Sequence, residues 1–528
     1  MGLLLSCGGS GGQSGSPDVP AGDTQQDTAA RETTNADERA EDLPESRIEV
    51  ADGEDGDRQP LDTSDLVSPP LTLRAGVAKT LITPAFEPYE DLNGNHHYDE
   101  GEPFEDLNGN GEYDSLYVGG FGLRTPTGVH DDLWARTVAI EVGADLLIFV
   151  SLDILGLSMK RVEAIKARVG AQFPGNLVFN PDTLVIASTH THQGPDTMGV
   201  FGPNSGPGWD EAYLSLVVDK ATESVLLAVQ DLRPASLWLA STSDTEDLVR
   251  DLDPPVILDP YVGLIQARTP EGEVIATLLS IANHPEACWG DNTLISSDYV
   301  HYLRESLEAE VGGMALFFAG ALGLMQSPTT MGEAGFERAE IVGNTYAQRI
   351  LKALEDAQEV ERSGLLSRHA RLRIPVVLQN PELYIGVAAE IAEGYSEYLY
   401  RTEAPPCDFF GCLDLPVFLW RLGDLLTVMT FPGELTPELI VGGIVLPPDY
   451  QGPYPDAPSE PVALDHVQTP FRFVVGLADS ATGYYFPKKT FDLDATWSQR
   501  HGAGPDAAMT LMTAVAAGLS DLNEGFSP

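Results

Sequence analysis

The stretch Thr183-Leu-Val-Ile-Ala-Ser-Thr-His-Thr-His-Gln-Gly-Pro195 decides how this chain is read. Its first six residues are a short run of branched and small apolar side chains, the pattern of a buried strand. The run then gives way to a polar segment with two histidines one residue apart. In extended backbone, residues i and i+2 point to the same side, so His190 and His192 project together beyond the strand end. Neutral imidazole is the commonest metal ligand, and clefts in α/β folds open at the carboxyl ends of strands. Two hydrogen-bonded loop histidines give the same spacing, so the pair becomes a metal site only with partners.

Outward from this point, short apolar runs alternate with amphipathic stretches. The pattern predicts strands at 146–153, 183–188, 261–267, 274–281, 315–318, 425–430 and 471–477, and helices at 159–169, 210–230, 299–311, 337–356 and 505–519. Such alternation predicts an α/β fold. We expect one large domain over 71–528, a buried mixed sheet flanked by helices, with the metal site at strand ends. The partners follow other predicted strands: His284 in Ile281-Ala-Asn-His-Pro, Glu434 in Thr430-Phe-Pro-Gly-Glu, and Tyr484 in Leu477-Ala-Asp-Ser-Ala-Thr-Gly-Tyr. Two histidines and a carboxylate with an open position form a common catalytic zinc set. Asp153 ends a predicted strand, as a second support for a histidine or as a hydrogen-bonded strand end. His130, before Asp131-Asp132, is a further candidate for the same cleft.

The 528 residues carry 80 acidic side chains against 30 basic ones, a formal charge of −50. That balance excludes nucleic-acid binding, which needs clustered Lys and Arg, and disfavours an anionic membrane surface. No apolar run reaches the roughly 18 residues of a membrane-spanning helix. Segment 8–70 holds 16 of the acids and 4 arginines among Gly, Ser, Pro and Thr, too little apolar surface to fold, and reads as a disordered acidic tether. Before it, residues 1–7 resemble the remnant of a bacterial lipoprotein signal ending at Cys7. This predicts membrane attachment through a lipidated Cys7 and a location in the bacterial cell envelope or outside the cell. Cys407 and Cys412 flank a short Asp-Phe-Phe-Gly segment and suit a disulfide, while Cys288 has no evident partner.

A tandem repeat occupies 87–114: Glu87-Pro-Tyr-Glu-Asp-Leu-Asn-Gly-Asn-His-His-Tyr-Asp, then Glu102-Pro-Phe-Glu-Asp-Leu-Asn-Gly-Asn-Gly-Glu-Tyr-Asp. Oxygen-bearing side chains at alternate positions suit Ca²⁺, a hard cation that takes about six to eight oxygens from a turning loop. The candidate structural calcium ligands are Asp91, Asn93, Asn95, Asp99 and Glu102, then Asp106, Asn108, Asn110 and Asp114. The pattern resembles EF-hand or dockerin-type loops. Gly111 stands at the sixth place of the second loop, where the turn wants Gly, and His96 stands there in the first.

Several separated blocks resemble the neutral/alkaline ceramidase family: Arg74-Ala-Gly-Val-Ala-Lys-Thr-Leu-Ile-Thr-Pro, Gly128-Val-His-Asp-Asp-Leu-Trp-Ala-Arg, Val150-Ser-Leu-Asp-Ile-Leu-Gly-Leu, Ser188-Thr-His-Thr-His-Gln-Gly-Pro and Phe431-Pro-Gly-Glu-Leu-Thr. They keep the family's order and span about 71–519. The resemblance implies a zinc amidohydrolase that cleaves the N-acyl amide of ceramide, or a related lipid-like amide, to a fatty acid and an amine. It implies zinc on His190, His284, Glu434 and Tyr484, with His192 beside the metal handling substrate or proton, and Ser327 as the active-site serine. Leu324 and Met325 stand where the family has Gly-Asp or Gly-Asn, and Asp479 where it has Asn. The immunoglobulin-like C-terminal domain of known ceramidases is not expected in this sequence. Two other readings of the same residues are a hydrolase of this fold acting on another amide or ester, and a non-catalytic, calcium-stabilised surface lipoprotein that binds lipid or glycan.

Overall fold

Three five-stranded sheets, each with helices against its outer face, meet at one apolar core. The computed structural model describes residues 72–203, 208–361, 365–377, 379–380, 399–400, 412–446, 450, 452–492 and 496–524. The lipoprotein-type start, the acidic tether and the pairing of Cys407 with Cys412 lie outside the described residues. Cys288 is a buried free thiol.

The first sheet runs in the order Leu184–Ser188, Asp145–Leu152, Trp134–Val142, Leu73–Leu81, Arg233–Pro234. The second runs Met314–Ala319, Val274–Ile281, Val262–Arg268, Ser236–Thr242, Gln358–Glu359. The third runs Ser367–Val376, Cys412–Leu422, Leu426–Thr430, Phe471–Val475, with Leu399–Tyr400 also paired to Cys412–Leu422. Each is mixed in the same way, with a single parallel pair among antiparallel neighbours. The pairs are Asp145–Leu152 with Leu184–Ser188, Val274–Ile281 with Met314–Ala319, and Leu426–Thr430 with Phe471–Val475. A parallel pair needs a long crossover. Helices Met159–Gln172 and Tyr299–Val311 supply it in the first two sheets. The parallel strands of a pair end at the same sheet edge, and the predicted metal ligands follow those ends.

Side-chain alternation along the strands sorts residues between two environments. One face of each sheet enters the shared core: Phe149 and Val185 from the first, Leu278 and Phe318 from the second, Phe418, Trp420 and Phe473 from the third. Ring edges knit it, with Phe149 at 6.3 Å from both Phe318 and Phe418, and Phe318 at 5.8 Å from Phe473. The other faces pack on helices. Ile148, Val150 and Ile186 meet Met159–Gln172 and Glu211–Gln230; Leu279 and Phe317 meet Tyr299–Val311 and Phe336–Leu354; Leu419, Met429 and Val474 meet Ala507–Glu524. Strands covered on both faces read as continuous apolar runs, which is why these strands were legible.

The predicted elements are present with ends shifted by a few residues, and the mixed α/β class holds, but the sheet is threefold rather than single. Among the described residues, five strands of seven or more residues escape the sequence reading: Leu73–Leu81, Trp134–Val142, Ser236–Thr242, Ser367–Val376 and Cys412–Leu422. Polar residues interrupt their apolar runs and find partners only in the folded chain. Arg136, for instance, bonds the Ala315 carbonyl and Glu308, and Arg371 pairs with Asp479 at 2.7 Å.

Asp479 shows how the sheets are joined. Its carboxylate is buried and pairs with Lys166 of helix Met159–Gln172 at 3.2 Å as well as with Arg371 of the third sheet. Its backbone amide bonds the Ile186 carbonyl of the first sheet at 2.6 Å. Burial alone would raise its pKa, but Arg371 and Lys166 hold it below the usual carboxylate value. Removing one member of a buried ion pair costs about 3–5 kcal/mol, because the remaining charges are stranded. Asp479→Asn keeps the side-chain shape and strands two cations, so urea unfolding should report a loss of about that size; an unchanged midpoint would contradict this role.

Candidate metal centre

His190 and His284 are held by parallel means. Each follows one member of a parallel pair, Leu184–Ser188 for His190 and Val274–Ile281 for His284. His190 takes a left-handed backbone, φ 69°, and its amide bonds the Ile154 carbonyl at 3.0 Å. Its Nδ1 lies 2.6 Å from the Leu155 carbonyl. His284 bonds the Met325 carbonyl through both its amide, at 2.9 Å, and its Nδ1, at 2.8 Å. A carbonyl can only accept, so Nδ1 carries the proton in both rings and Nε2 presents a lone pair.

Both Nε2 atoms face the same oxygen. Glu434 Oε2 lies 3.1 Å from His284 Nε2 and 3.5 Å from His190 Nε2. Glu434 and Tyr484 sit side by side, because the short strands Glu434–Leu435 and Tyr484–Tyr485 pair in parallel. Gly433 permits that approach, since a Cβ there would lie 2.4 Å from the Gly483 carbonyl oxygen. Glu434 and Ser498 both bear on the titration of the Tyr484 hydroxyl. His192 closes the group: the ligand atoms of His190, His192 and His284 all lie within 4.8 Å of one another. Among the described residues neither ring nitrogen of His192 has a hydrogen-bond partner.

The electrostatics agree with a cation position. Burial opposes charge on Glu434, yet His190 and His284 hold its carboxyl well below the usual range. Burial likewise opposes a charged His190, yet Glu434 raises it. Two imidazole lone pairs and a carboxylate oxygen aimed at one another repel unless positive charge lies between them. A proton meets that need partly. A divalent ion with nitrogen and oxygen ligands meets it fully, and this donor set suits zinc. Tyr484 is pushed well above the usual phenol value by burial and by Glu434, so a metal ligand there would have to overcome that penalty.

The remaining sequence candidates have other partners. Ser327 is buried, and its Oγ bonds Asn283, the residue before His284, at 3.1 Å. Asp153 supports no histidine: it forms a bidentate pair with Arg304 at 2.9 and 2.8 Å. His130 stacks on Phe336 at 3.7 Å and pairs with Asp131. The sequence reading missed Glu286, buried with Oε2 3.3 Å from His192 Nδ1, whose carboxyl is pushed up to about 7 by burial. Its signal was the spacing His284-Pro-Glu286, the same i, i+2 relation as the histidine pair.

The tandem loops form a pair. Asp91 accepts the amides of Gly94, Asn95 and His96, and Asp106 those of Gly109 and Gly111. Asn93 and Asn95 bond Asp99, while Asn108 and Asn110 bond Asp114. His96 has φ 67° and Gly111 φ 80°, so the sixth place makes the same turn in both. Glu102 accepts the amides of Leu92 and Asp99, closing the first loop. Glu87, overlooked in the sequence, does the same for Leu107 and Asp114 of the second. Each loop is thus closed by the glutamate that opens the other repeat. Between them Tyr98 and Tyr113 stack at 3.9 Å, edged by Tyr89 and Phe104.

Fold and site together define a mixed α/β chain with a histidine-rich candidate metal centre at the ends of parallel strand pairs. In sequence it is similar to the neutral ceramidase of Pseudomonas aeruginosa, 27% identical over 368 residues, which is 63% of this chain and 53% of that protein. The chain therefore spans about half the length of that relative. In fold it is similar to the crystal structure of neutral ceramidase from Pseudomonas aeruginosa, with TM-score 0.61 and 18% identity, covering 87% of this chain and 75% of that one. A ceramidase complexed with C2 gives TM-score 0.61 at 18% identity, covering 86% and 76%. No protein-family model matches. Sequence and fold thus give family-level similarity to neutral ceramidase. Among the described residues no helix is long and apolar enough to cross a membrane.

Proposed function

We propose that this chain is a zinc-dependent amidohydrolase resembling neutral ceramidase, which hydrolyses the N-acyl amide of ceramide or a related lipid to a fatty acid and an amine. The observation that carries the reading is the convergence of His190 Nε2, His284 Nε2 and Glu434 Oε2. We assign the zinc ligands as His190, His284, Glu434 and Tyr484. Bound there, zinc supplies Lewis acidity toward a water molecule and the amide carbonyl.

The chain's own groups supply the rest. Carbonyl-anchored Nδ1 atoms keep both ligand rings in one orientation, as support of this kind does in metal sites. Tyr484 contributes polarity where negative charge develops on the acyl oxygen. His192 moves a proton from the attacking water to the departing nitrogen as the C–N bond breaks, a role suited to imidazole. Ser327, two residues beyond the carbonyl that anchors His284, holds a polar group of the substrate through its hydroxyl. The apolar cluster of Leu324, Tyr484, Phe486 and Phe491 begins at the site itself, which favours an acyl chain over a polar peptide as the bound group.

Metal analysis joined to a panel of ceramide, N-acyl amino acids and simple esters tests this reading. Wild type should carry about one zinc per chain and release fatty acid from lipid amides. His190→Ala and His284→Ala should lose both zinc and turnover, whereas His192→Ala should keep zinc and lose turnover by roughly 10²–10⁴-fold. A zinc-free variant with full activity would sink the proposal, and faster release from esters would favour another substrate for the same site.

We also propose that the loops bind structural Ca²⁺ through Asp91, Asn93, Asn95, Asp99 and Glu102, and through Asp106, Asn108, Asn110 and Asp114 with Glu87. A lipidated Cys7 would hold the protein at the cell envelope. Calcium should raise the melting temperature of the wild type and protect 87–114 from proteolysis. Asp91→Ala with Asp106→Ala should abolish both effects; equal protection without calcium would contradict the assignment.

A further inference from the structure

Glu286 belongs neither to the proposed ligand set nor to the proton path, yet its carboxylate is buried against one member of that path. Its Oε2 lies 3.3 Å from His192 Nδ1, and its other oxygen, Oε1, has no hydrogen-bond partner among the described residues. Burying a carboxylate without a donor is unfavourable, and His192 Nδ1 is a donor within reach. The backbone sets the two side chains against each other: the His192 amide bonds the Pro285 carbonyl at 3.0 Å, one residue before Glu286.

Backbone and an aromatic ring also crowd the His192 imidazole. Gly120, at φ 99°, lies so near that an added Cβ would stand 2.5 Å from His192 Cβ and Cγ and 2.7 Å from Nδ1. Phe121 meets the ring edge-on at 5.1 Å. Arg124 bonds the His192 carbonyl at 2.7 Å and the Gln193 side chain at 2.9 Å. The ring's place is therefore fixed by packing, while its tautomer and its flip are not, since unlike His190 and His284 it has no backbone carbonyl on Nδ1. Glu286 Oε2 stands 3.3 Å from that Nδ1, within reach but not aligned as a hydrogen bond in this state.

We propose that Glu286 is a positioning residue for His192: it accepts the Nδ1 proton, fixes the tautomer and ring orientation, and leaves Nε2 for the substrate amide. Its effect on rate rests on the amidohydrolase reading, whereas its effect on the tautomer does not. Gly120 limits the ring sterically and Glu286 supplies the polar contact.

The test uses the full chain with ¹⁵N-labelled histidine, and the His192 signal is identified by its loss in His192→Gln. Wild type and Glu286→Gln, which keeps an acceptor oxygen, should show His192 protonated on Nδ1; Glu286→Ala should show a mixture. With a lipid amide, Glu286→Ala should lower kcat about 10–100-fold, the usual cost of losing such a support, with KM and zinc stoichiometry unchanged. Glu286→Gln should recover most of the rate, and Glu286→Ala should cost nothing further in a His192→Ala background. Should Ala prevent folding, Glu286→Met fills the space without an acceptor and takes its place. A wild-type tautomer in the Ala or Met variant overturns the proposal, as does a rate loss that persists without His192. If wild type hydrolyses no amide, the amidohydrolase reading fails and the tautomer measurement alone decides the role of Glu286.

Discussion

Two imidazole nitrogens and one carboxylate oxygen point at a single position inside the protein, and that arrangement needs positive charge between them. Glu434 is buried and held as an anion by His190 and His284. Each histidine has its Nδ1 tied to a backbone carbonyl, so neither ring can turn away. Left without a cation, the three groups would cost stability, since a buried charge with poor compensation is expensive. The centre thus joins segments that follow strands of all three sheets, and whatever ion fills it also ties those segments together.

The sheets make this joint possible through one repeated feature. Each contains a single parallel strand pair, and such pairs send consecutive connections out from the same edge. His190 leaves the first sheet there, His284 the second, and Glu434 and Tyr484 follow the paired strands of the third. Close backbone packing completes the approach at Gly433, where any larger residue would push Glu434 away from Tyr484. A charged anchor lies just behind: Asp479, between the third sheet and Tyr484, binds Lys166 and Arg371.

The sequence revealed the strands buried on both faces, because their apolar runs are unbroken, and it revealed ligands placed directly after such runs. It did not reveal Trp134–Val142 or Ser367–Val376, whose arginines look like surface until their partners, distant in sequence, are known. For the same reason Asp479 reads as a departure from a family pattern although its charge is neutralised in the fold. Glu286 and Glu87 were hidden differently. The spacing His284-Pro-Glu286 could place Glu286 beside the ligand histidine, but each glutamate acts on a segment elsewhere, His192 for Glu286 and the second loop for Glu87, and spacing within one segment does not name that partner. The count of sheets was illegible too, since alternation of apolar and polar residues specifies which faces are buried but not which sheet buries them.

X-ray absorption at the zinc edge, on protein purified from zinc-replete cells, addresses the central claim most directly. The account predicts one zinc per chain with only nitrogen and oxygen neighbours at roughly 2.0–2.2 Å, including the outer-shell scattering of at least two imidazoles. Absence of zinc, or a sulfur neighbour at about 2.3 Å such as the buried Cys288 thiol would give, would contradict it.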